Sequence, residues 1–354
     1  MDQSNPGATL APLFRISEGQ ARRPVATLVA TAKNEGPSIW EWVAYHRMIG
    51  FNHIYIFQND SEDGTQEILK LLDRAGVITY RNNERPQRGR HQVKAYMRAA
   101  GQPGYLASDL AMALDLDEFL VVKTGDGSLT ALMQALPEFD CAMINWRVFG
   151  SAGAQDLSDA LVTQRYTLAE WGEDVRSGLT PFKALFQRDR FDRPGVHRPP
   201  GCDVSDPDLR FTNGSGLLRG EFALKNFRSN DPGGRALAQV NHYMVKDAQS
   251  FVLKNDRGSA HQAQREIGQD YWVQSNKNRK RDTSILRFQD RLTRAMADID
   301  AMTLGKLSRM TAESFAYHQH RFAALMRNED SRALYAFCLA NTDIAGRVRH
   351  HAHS

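Results

Sequence analysis

The segment ALDLDEFL, residues 113–120, sets Asp115, Asp117 and Glu118 inside an otherwise apolar run. A carboxylate in such a place is costly unless something of opposite charge meets it. If the chain is extended here, Asp115 and Asp117 face one side and Leu116 the other. Two carboxylates at that spacing can share one cation. All-oxygen ligation suits Mg²⁺ or Mn²⁺, which keeps water and completes its shell with substrate phosphate. The chemistry that needs such an ion is departure of a nucleoside diphosphate, whose developing charge the ion neutralises. An isolated D-x-D is short and common, and an exposed acidic turn is the plain alternative. The apolar flanks on both sides favour function. Glu118 is expected to hydrogen-bond within the scaffold rather than ligate.

The elements around this segment alternate. VATLVATA (25–32) and HIYIFQND (53–60) are β-branched or aromatic runs of strand length. Between them Ser38 is placed to cap a helix, IWEWVAYHRMI, which Gly50 closes. A second helix spans SEDGTQEILKLLDRAG, where Asp60-Ser61 is a possible cap. VITY (77–80) is the third strand, and the basic stretch RNNERPQRGR leads into a third helix. LAMALDLDEFLV (110–121) is expected as one continuous fourth strand. A helix through Leu129, Leu132 and Leu136 then precedes a fifth strand, CAMINWRVF (141–149). This order predicts an α/β fold with a mostly parallel mixed sheet flanked by helices. Such sheets bind ligands at the carboxyl ends of their strands, where Lys33-Asn34-Glu35, Gln58-Asn59-Asp60 and the acidic cluster all fall. Residues 150–245 are loop-rich, and the chain turns helical from about 246.

The chain has 354 residues, 42% of them apolar and 24% charged, with a net charge of +4. These values fit a globular protein tolerant of anionic ligands without demanding nucleic acid. Cys141, Cys202 and Cys338 are odd in number and have no metal-ligand spacing, which predicts free thiols in a reducing compartment. No apolar run reaches 18 residues and no signal peptide is read, so a cytoplasmic protein with at most peripheral membrane contact is expected.

Several blocks together resemble a known family. AKNEGPSIWEWVAYHRMIGFNHIYIFQNDSEDGTQEIL, ALDLDEFL, NWRVFGSAG (145–153), GVHRP (195–199) and NHYMVKDAQSFVLKNDRGSA (241–260) are similar to GT-A-fold glycosyltransferases of the family-2-like and family-92-like branch. The resemblance covers about residues 25–290. It implies a GT-A domain at 24–282, with a nucleotide-binding half at 24–122 and an acceptor-side half at 123–282. Residues 1–23 form an arm and 283–354 a helical C-terminal extension. It further implies metal-dependent transfer of a sugar from a nucleotide-sugar donor, a UDP-sugar above all, to a hydroxyl of a glycan or glycolipid, with inversion. Mn²⁺ or Mg²⁺ is the expected cofactor.

Site residues follow from both readings. Asp115 and Asp117 are the metal and donor pair. His242 is the preferred third metal ligand, because enzymes of this fold often supply a C-terminal His; His197 is kept on the acceptor side. Asn34 and Glu35 are donor-binding candidates, against a solvent-facing turn before Pro37. Asp60 either contacts uracil or ribose, as the resemblance implies, or caps the second helix. Arg88 and Gln92 are candidates for ordering the nucleotide, although most basic residues in such runs are simply solvated. Lys254 and Arg257, near one helical turn apart, are candidates to clamp the diphosphate. Inversion needs a general base; of Glu173, Asp174 and Asp203, Asp174 is preferred. Trp171 could stack on an acceptor sugar. The competing readings are a non-catalytic nucleotide- or nucleic-acid-binding protein, prompted by KNRKR (277–281), and an Asp-nucleophile phosphohydrolase. The acids lining the expected cleft oppose the former. The latter would carry its D-x-D after the first strand.

Overall fold

The structure is a computed structural model, and it describes residues 23–83, 91–171, 178–258 and 267–342. Strands β1 (Ala26–Ala32) and β2 (His53–Gln58) flank helix α1 (Gly36–Ile49). Helix α2 (Thr65–Arg74), strand β3 (Thr79–Asn82), helices α3 (His91–Ala100) and α4 (Pro103–Leu106) and strand β4 (Leu110–Ala113) follow. Then come β5 (Glu118–Val122), α5 (Leu129–Ala135), β6 (Cys141–Val148), α6 (Val162–Arg165), β7 (Leu168–Ala169), β8 (Thr180–Gln187) and β9 (Phe211–Asn213). The short β10 (Leu224–Lys225) and β11 (Arg228–Ser229) precede β12 (Ala238–His242), α7 (Ala248–Arg257), α8 (Gln269–Ser275) and β13 (Lys280–Arg281). Helices α9 (Gln289–Met302), α10 (Lys306–Leu325) and α11 (Glu329–Ala340) end the described chain.

The main sheet runs β3-β2-β1-β4-β8-β6-β12-β5. Its first four strands are parallel, with Ala30 opposite Ile56 and Leu28 opposite Met112. Strand β8 is antiparallel to both β4 and β6, and β5 is antiparallel to β12. The starts of β8 and β5 therefore lie at the same edge as the ends of β1, β2, β4 and β12. The fold class expected from the sequence, an α/β mixed sheet flanked by helices with a C-terminal helical extension, is the one observed. The arm at 1–23, save Arg23, lies outside the described residues. Among the described residues no helix is long and apolar enough to cross a membrane, and the three cysteines are free and buried.

Helix α1 fixes the outer edge of the sheet. It buries Ile39, Trp42, Val43, Tyr45 and Ile49, each contributing about 1.5–3 kcal/mol by leaving water. It stops where Gly50 takes a left-handed φ of 119°, a conformation open to glycine. Strand β5 ends the sheet, and its far edge would be bare. Instead Trp42 Nε1 donates to the Glu118 carbonyl at 2.8 Å and Tyr45 Oη to the Leu120 carbonyl at 3.0 Å, while His46 Nε2 accepts from the Leu120 N–H at 3.4 Å. Burial lowers the His46 pKa to about 3, so the ring is neutral and can accept. Glu41, from the same helix, receives the N–H groups of Val162 and Thr163 and the Thr163 hydroxyl. The E-W-x-x-Y-H run, Glu41 to His46, is thus a set of clamps on the strand that carries Glu118 and on the start of α6.

Local expectations are corrected in four places. The 110–121 segment is two strands, β4 and β5, joined by a turn at 114–117. The acids therefore do not share a face by strand alternation. Ser38 lies inside α1, whose cap position is Glu35 without a side-chain cap bond; Ser38 Oγ accepts from Lys246 Nζ at 2.9 Å instead. Helix α2 starts at Thr65 behind Gly64, so neither Asp60 nor Ser61 caps it. The third strand is displaced to Thr79–Asn82, because Val77 and Ile78 pack against the core while the chain is still turning out of α2.

Candidate active site

The turn between β4 and β5 is built so that Asp115 and Glu118 share one cation, Lys183, while Asp117 meets another, Lys254. Asp115 accepts from Gln92 Nε2 at 2.8 Å and from Lys183 Nζ at 3.0 Å. Lys183 also reaches Glu118 Oε2 at 3.0 Å, and Glu118 Oε2 receives the Asp115 N–H at 2.9 Å. Glu118 thus braces the turn from within, as expected of it. Burial pushes its carboxyl up to about 7, although Lys183 pulls the other way. Burial works against the Lys183 charge as well, but Asp115 and Glu118 outweigh it and hold its pKa above the ordinary lysine value.

Asp117 faces a different set. Its Oδ1 lies 3.4 Å from His242 Nε2, and its Oδ2 accepts from Lys254 Nζ at 3.0 Å. Burial opposes its charge, yet Lys254 and His242 hold it well below the usual carboxylate range. The pairing of β12 with β5 sets His242 opposite Glu118, and His242 Nδ1 comes within 3.6 Å of Glu118 Oε1. Those two atoms are buried and have no hydrogen-bond partner among the described residues.

A divalent cation can be tested against this arrangement. Among the described residues no three His, Cys, Asp or Glu side chains are gathered for a metal. Asp117 Oδ1 and His242 Nε2 nevertheless form a two-ligand pair, which suffices where substrate phosphate and water complete the shell. The two orphaned atoms fit this use, because a ligating histidine ordinarily gives its other N–H to a carboxylate. Asp115 is turned away onto Lys183 and does not join the pair.

The strand-end loops interlock around the acids. Asn34, at φ 50°, donates its N–H to Ser61 Oγ at 3.1 Å and accepts the Glu62 N–H on Oδ1 at 2.8 Å. The Glu35 carboxylate pairs with Arg257 and lies 3.8 Å from Lys246, while Arg257 also donates to the Lys33 carbonyl at 2.9 Å. Lys254 and Arg257 are thus brought to the site, each on an acid. Asp60 is exposed at φ 49° beyond β2. His197 stacks on Phe227 and lies 5.4 Å from Trp146, whose ring meets His242 at 4.3 Å. It stands one aromatic ring away from Asp117's partner. Trp171 is 47% exposed. Asp203 accepts from Ser205 within its own loop. Arg88, Glu173 and Asp174 lie outside the described residues.

Two features were missed in the sequence. Lys183 sits mid-strand in TPFKALFQ, and a lysine in an apolar strand carries the same signal as the acids: a buried charge implies a partner. The buried Asp63 accepts from the Gly36 N–H at 3.0 Å, the Ser314 hydroxyl at 3.3 Å and His318 Nε2 at 2.8 Å. It fastens α10 to the loops of the site. Beside Asp117 opens a cavity of about 330 Å³ between the start of α1, the 157–162 loop, α7 and α10.

With this geometry in place, the comparisons decide the family. The model of glycosyltransferase family 92 matches residues 31–213, more than half of the chain. The chain belongs to glycosyltransferase family 92. A family 92 protein of rice, Oryza sativa subsp. japonica, is 33% identical over 63 residues. That match covers 18% of this chain, and the chain spans only 11% of the length of that curated relative. Among solved structures, glucosyl-3-phosphoglycerate synthase from Mycobacterium tuberculosis, crystallised with Mn²⁺, UDP and glucosyl-3-phosphoglycerate, is similar at 14% identity and a TM-score of 0.27. The similarity covers 47% of this chain and 57% of that one. S. aureus TarS 1–349 is similar at 10% identity and a TM-score of 0.32, over 86% and 91% of the two chains. At these scores no residue's role is transferred from them. The family 92 match ends within β9, so β12, α7 and α10, which supply His242, Lys254 and His318, lie beyond it.

Proposed function

We propose that this family 92 protein is a glycosyltransferase that moves a sugar from a UDP-sugar to a hydroxyl of a glycan or glycolipid, with inversion, in dependence on Mn²⁺ or Mg²⁺. The observation that carries the reading is the Asp117–His242 pair at 3.4 Å, backed by Glu118 at the carboxyl edge of the sheet. In this reading residues 24–122 are the nucleotide-binding half and 123–282 the acceptor-side half.

Asp117 and His242 would hold the cation, with Glu118 orienting the imidazole through Nδ1. The bound ion supplies neutralisation of charge on the leaving diphosphate. Lys254 stands 3.0 Å from Asp117, and Arg257 follows one turn later on α7, so both can turn from their acids to phosphate oxygens. Asn34, Asp60, Arg88, Gln92 and Asp115 form the nucleotide side. Lys183 neutralises Asp115, so that Asp115 can accept hydroxyl hydrogen bonds there without facing the phosphates as a bare charge. The acceptor needs a general base, and Asp174 remains the proposed one.

The test is a panel of nucleotide sugars with and without Mn²⁺, scored for nucleoside diphosphate release by the wild type and Asp117→Ala. Metal-dependent release with one donor, lost in the variant by about a hundredfold or more, is the expected result. Equal release by both proteins, or none with any donor, would overturn the reading.

A further inference from the structure

Two of the three thiols meet away from the acidic turn. Cys141 opens β6, opposite Phe186 of β8 on one side and Phe211 of β9 on the other. Cys202 lies in the loop that leads from β8 to β9. Both are buried, at 0% and 3% exposure, in one apolar cluster. Each thiol is a hydrogen-bond partner of the other, and Met143 Sδ stands 3.9 Å from Cys141 Sγ. Cys338 belongs to a different cluster, with Phe251 and Trp272.

Core thiols are inert where burial keeps both protonated. Here the pair is uneven. The hydrogen bond with Cys141 lowers the pKa of the Cys202 thiol and Arg198 lowers it further, against burial and Asp203. Burial holds the Cys141 thiol well above its ordinary value, and Cys202 adds to that. The thiolate therefore forms on Cys202, beside a neighbour that keeps its proton. The backbone also brings Cys202 close to solvent. Pro200, Gly201 and Asp203 around it are exposed, and Gly201 sits at φ 79°. The Cys202 N–H donates to the Pro199 carbonyl at 3.2 Å, and its own carbonyl accepts from Arg198 Nη1 at 2.8 Å. A molecule as small as hydrogen peroxide needs only a slight opening of this turn to reach the sulfur.

We propose that Cys141 and Cys202 form a redox modification site, which hydrogen peroxide converts to an intramolecular disulfide tying the turn at 199–203 to the start of β6. The Cys202 thiolate attacks one peroxide oxygen. The S–O bond forms, the O–O bond breaks, and the departing hydroxide takes the proton that Cys202 gave up, leaving as water. The Cys141 thiol then attacks the Cys202 sulfur. The S–S bond forms, the S–O bond breaks, and the sulfenic oxygen leaves as a second water with the Cys141 proton. Two electrons pass from the two sulfurs to the peroxide, and no other reactant is needed. The same loop carries His197, whose Nδ1 lies 3.0 Å from the Phe182 carbonyl and whose ring stands 5.4 Å from Trp146. The disulfide thus fixes a segment that reaches the aromatic wall beside His242.

The full-length, folded protein is treated with hydrogen peroxide, denatured, and its remaining thiols counted with a maleimide; peptides are mapped by mass spectrometry with and without reductant. The expected result is loss of two of the three thiols, a Cys141–Cys202 cross-linked peptide, a free Cys338 and full recovery with dithiothreitol. The oxidised protein should melt about 5 °C higher, because the bond closes a long loop of the unfolded chain. Cys338→Ser should form the same cross-link and keep no thiol. Cys202→Ser, in a turn, should fold as the wild type does and lose both the cross-link and the gain in melting temperature. That variant keeps the test decisive where Cys141→Ser, at the head of a core strand, fails to fold. Three thiols surviving the peroxide would overturn the proposal. So would a disulfide through Cys338 or between chains, oxidation of Cys202 to sulfinic acid without a cross-link, or a cross-linked protein that melts lower than the reduced one.

Discussion

Lys183 holds the charge balance of the acidic turn. It is buried between Asp115 and Glu118, at 3.0 Å from each. Replacing it by methionine leaves two carboxylates facing each other without a cation. Breaking a buried ion pair from one side costs about 3–5 kcal/mol, so Lys183→Met should lower stability by that order in denaturant unfolding. Adding Glu118→Gln should recover part of the loss, because one buried charge is then removed. If the single variant is as stable as the wild type, the ion triad is not what holds the turn. The acids themselves were legible, since charged residues between MAL and FLVV demand partners. Which partner each would take was not. Lys183 and His242 come from strands far along the chain, and only the sheet order brings one to Asp115 and the other to Asp117. The idea that both acids share one ion fails for the same reason: the turn at 114–117 aims them apart.

At the scale of elements, α1 is the clamp on β5. Tyr45→Phe removes the donor to the Leu120 carbonyl and leaves a buried acceptor unsatisfied, at a cost of about 1–3 kcal/mol. The same substitution is expected to weaken Mn²⁺ binding, read by calorimetry, because β5 carries Glu118 and pairs with the strand of His242. A Tyr45→Phe protein with unchanged stability and metal affinity would show that the bond is idle. Most helices and strands up to residue 149 were readable from periodicity, and the end of α1 from Gly50, but neither N-cap expectation held, and β8, central in the sheet, lies in the stretch read as loop-rich. The break between β4 and β5 was not, because the turn contains neither glycine nor proline and its flanks are both strand-like. The E-W-x-x-Y-H run was visible as a motif, but its side chains act on backbone groups of β5, and sequence does not say which strand becomes a sheet edge.

Across the whole molecule, the C-terminal helices are tied to the site through Asp63. Burial opposes its charge, but His318 and Thr65 outweigh that and hold the carboxyl below its ordinary value. Its contribution is therefore present above about pH 4 and is lost as the pH falls through the lowered pKa. Asp63→Asn should be less stable near neutrality, with a flatter acid limb, in unfolding measured between about pH 3 and 7. A parallel acid limb in the two proteins would contradict the role. Gly36 gives a second handle: a Cβ there would stand 2.1 Å from Ser314 Oγ and 2.9 Å from its Cβ. Gly36→Ala should push α10 off the start of α1 and lower the melting temperature, and Ser314→Gly should restore most of it. None of this was readable beforehand, since α10 carries no motif and its partners lie some 250 positions earlier. One feature of the sheet also sets a timetable. Strand β12 lies between β6 and β5, so β5 has no strand to pair with until residues 238–242 arrive. A chain still emerging from the ribosome has neither His242 nor Lys254 to set against Asp117. Because such long-range pairings form late in folding, a donor site of the proposed kind is complete only when nearly all of the sheet has been made.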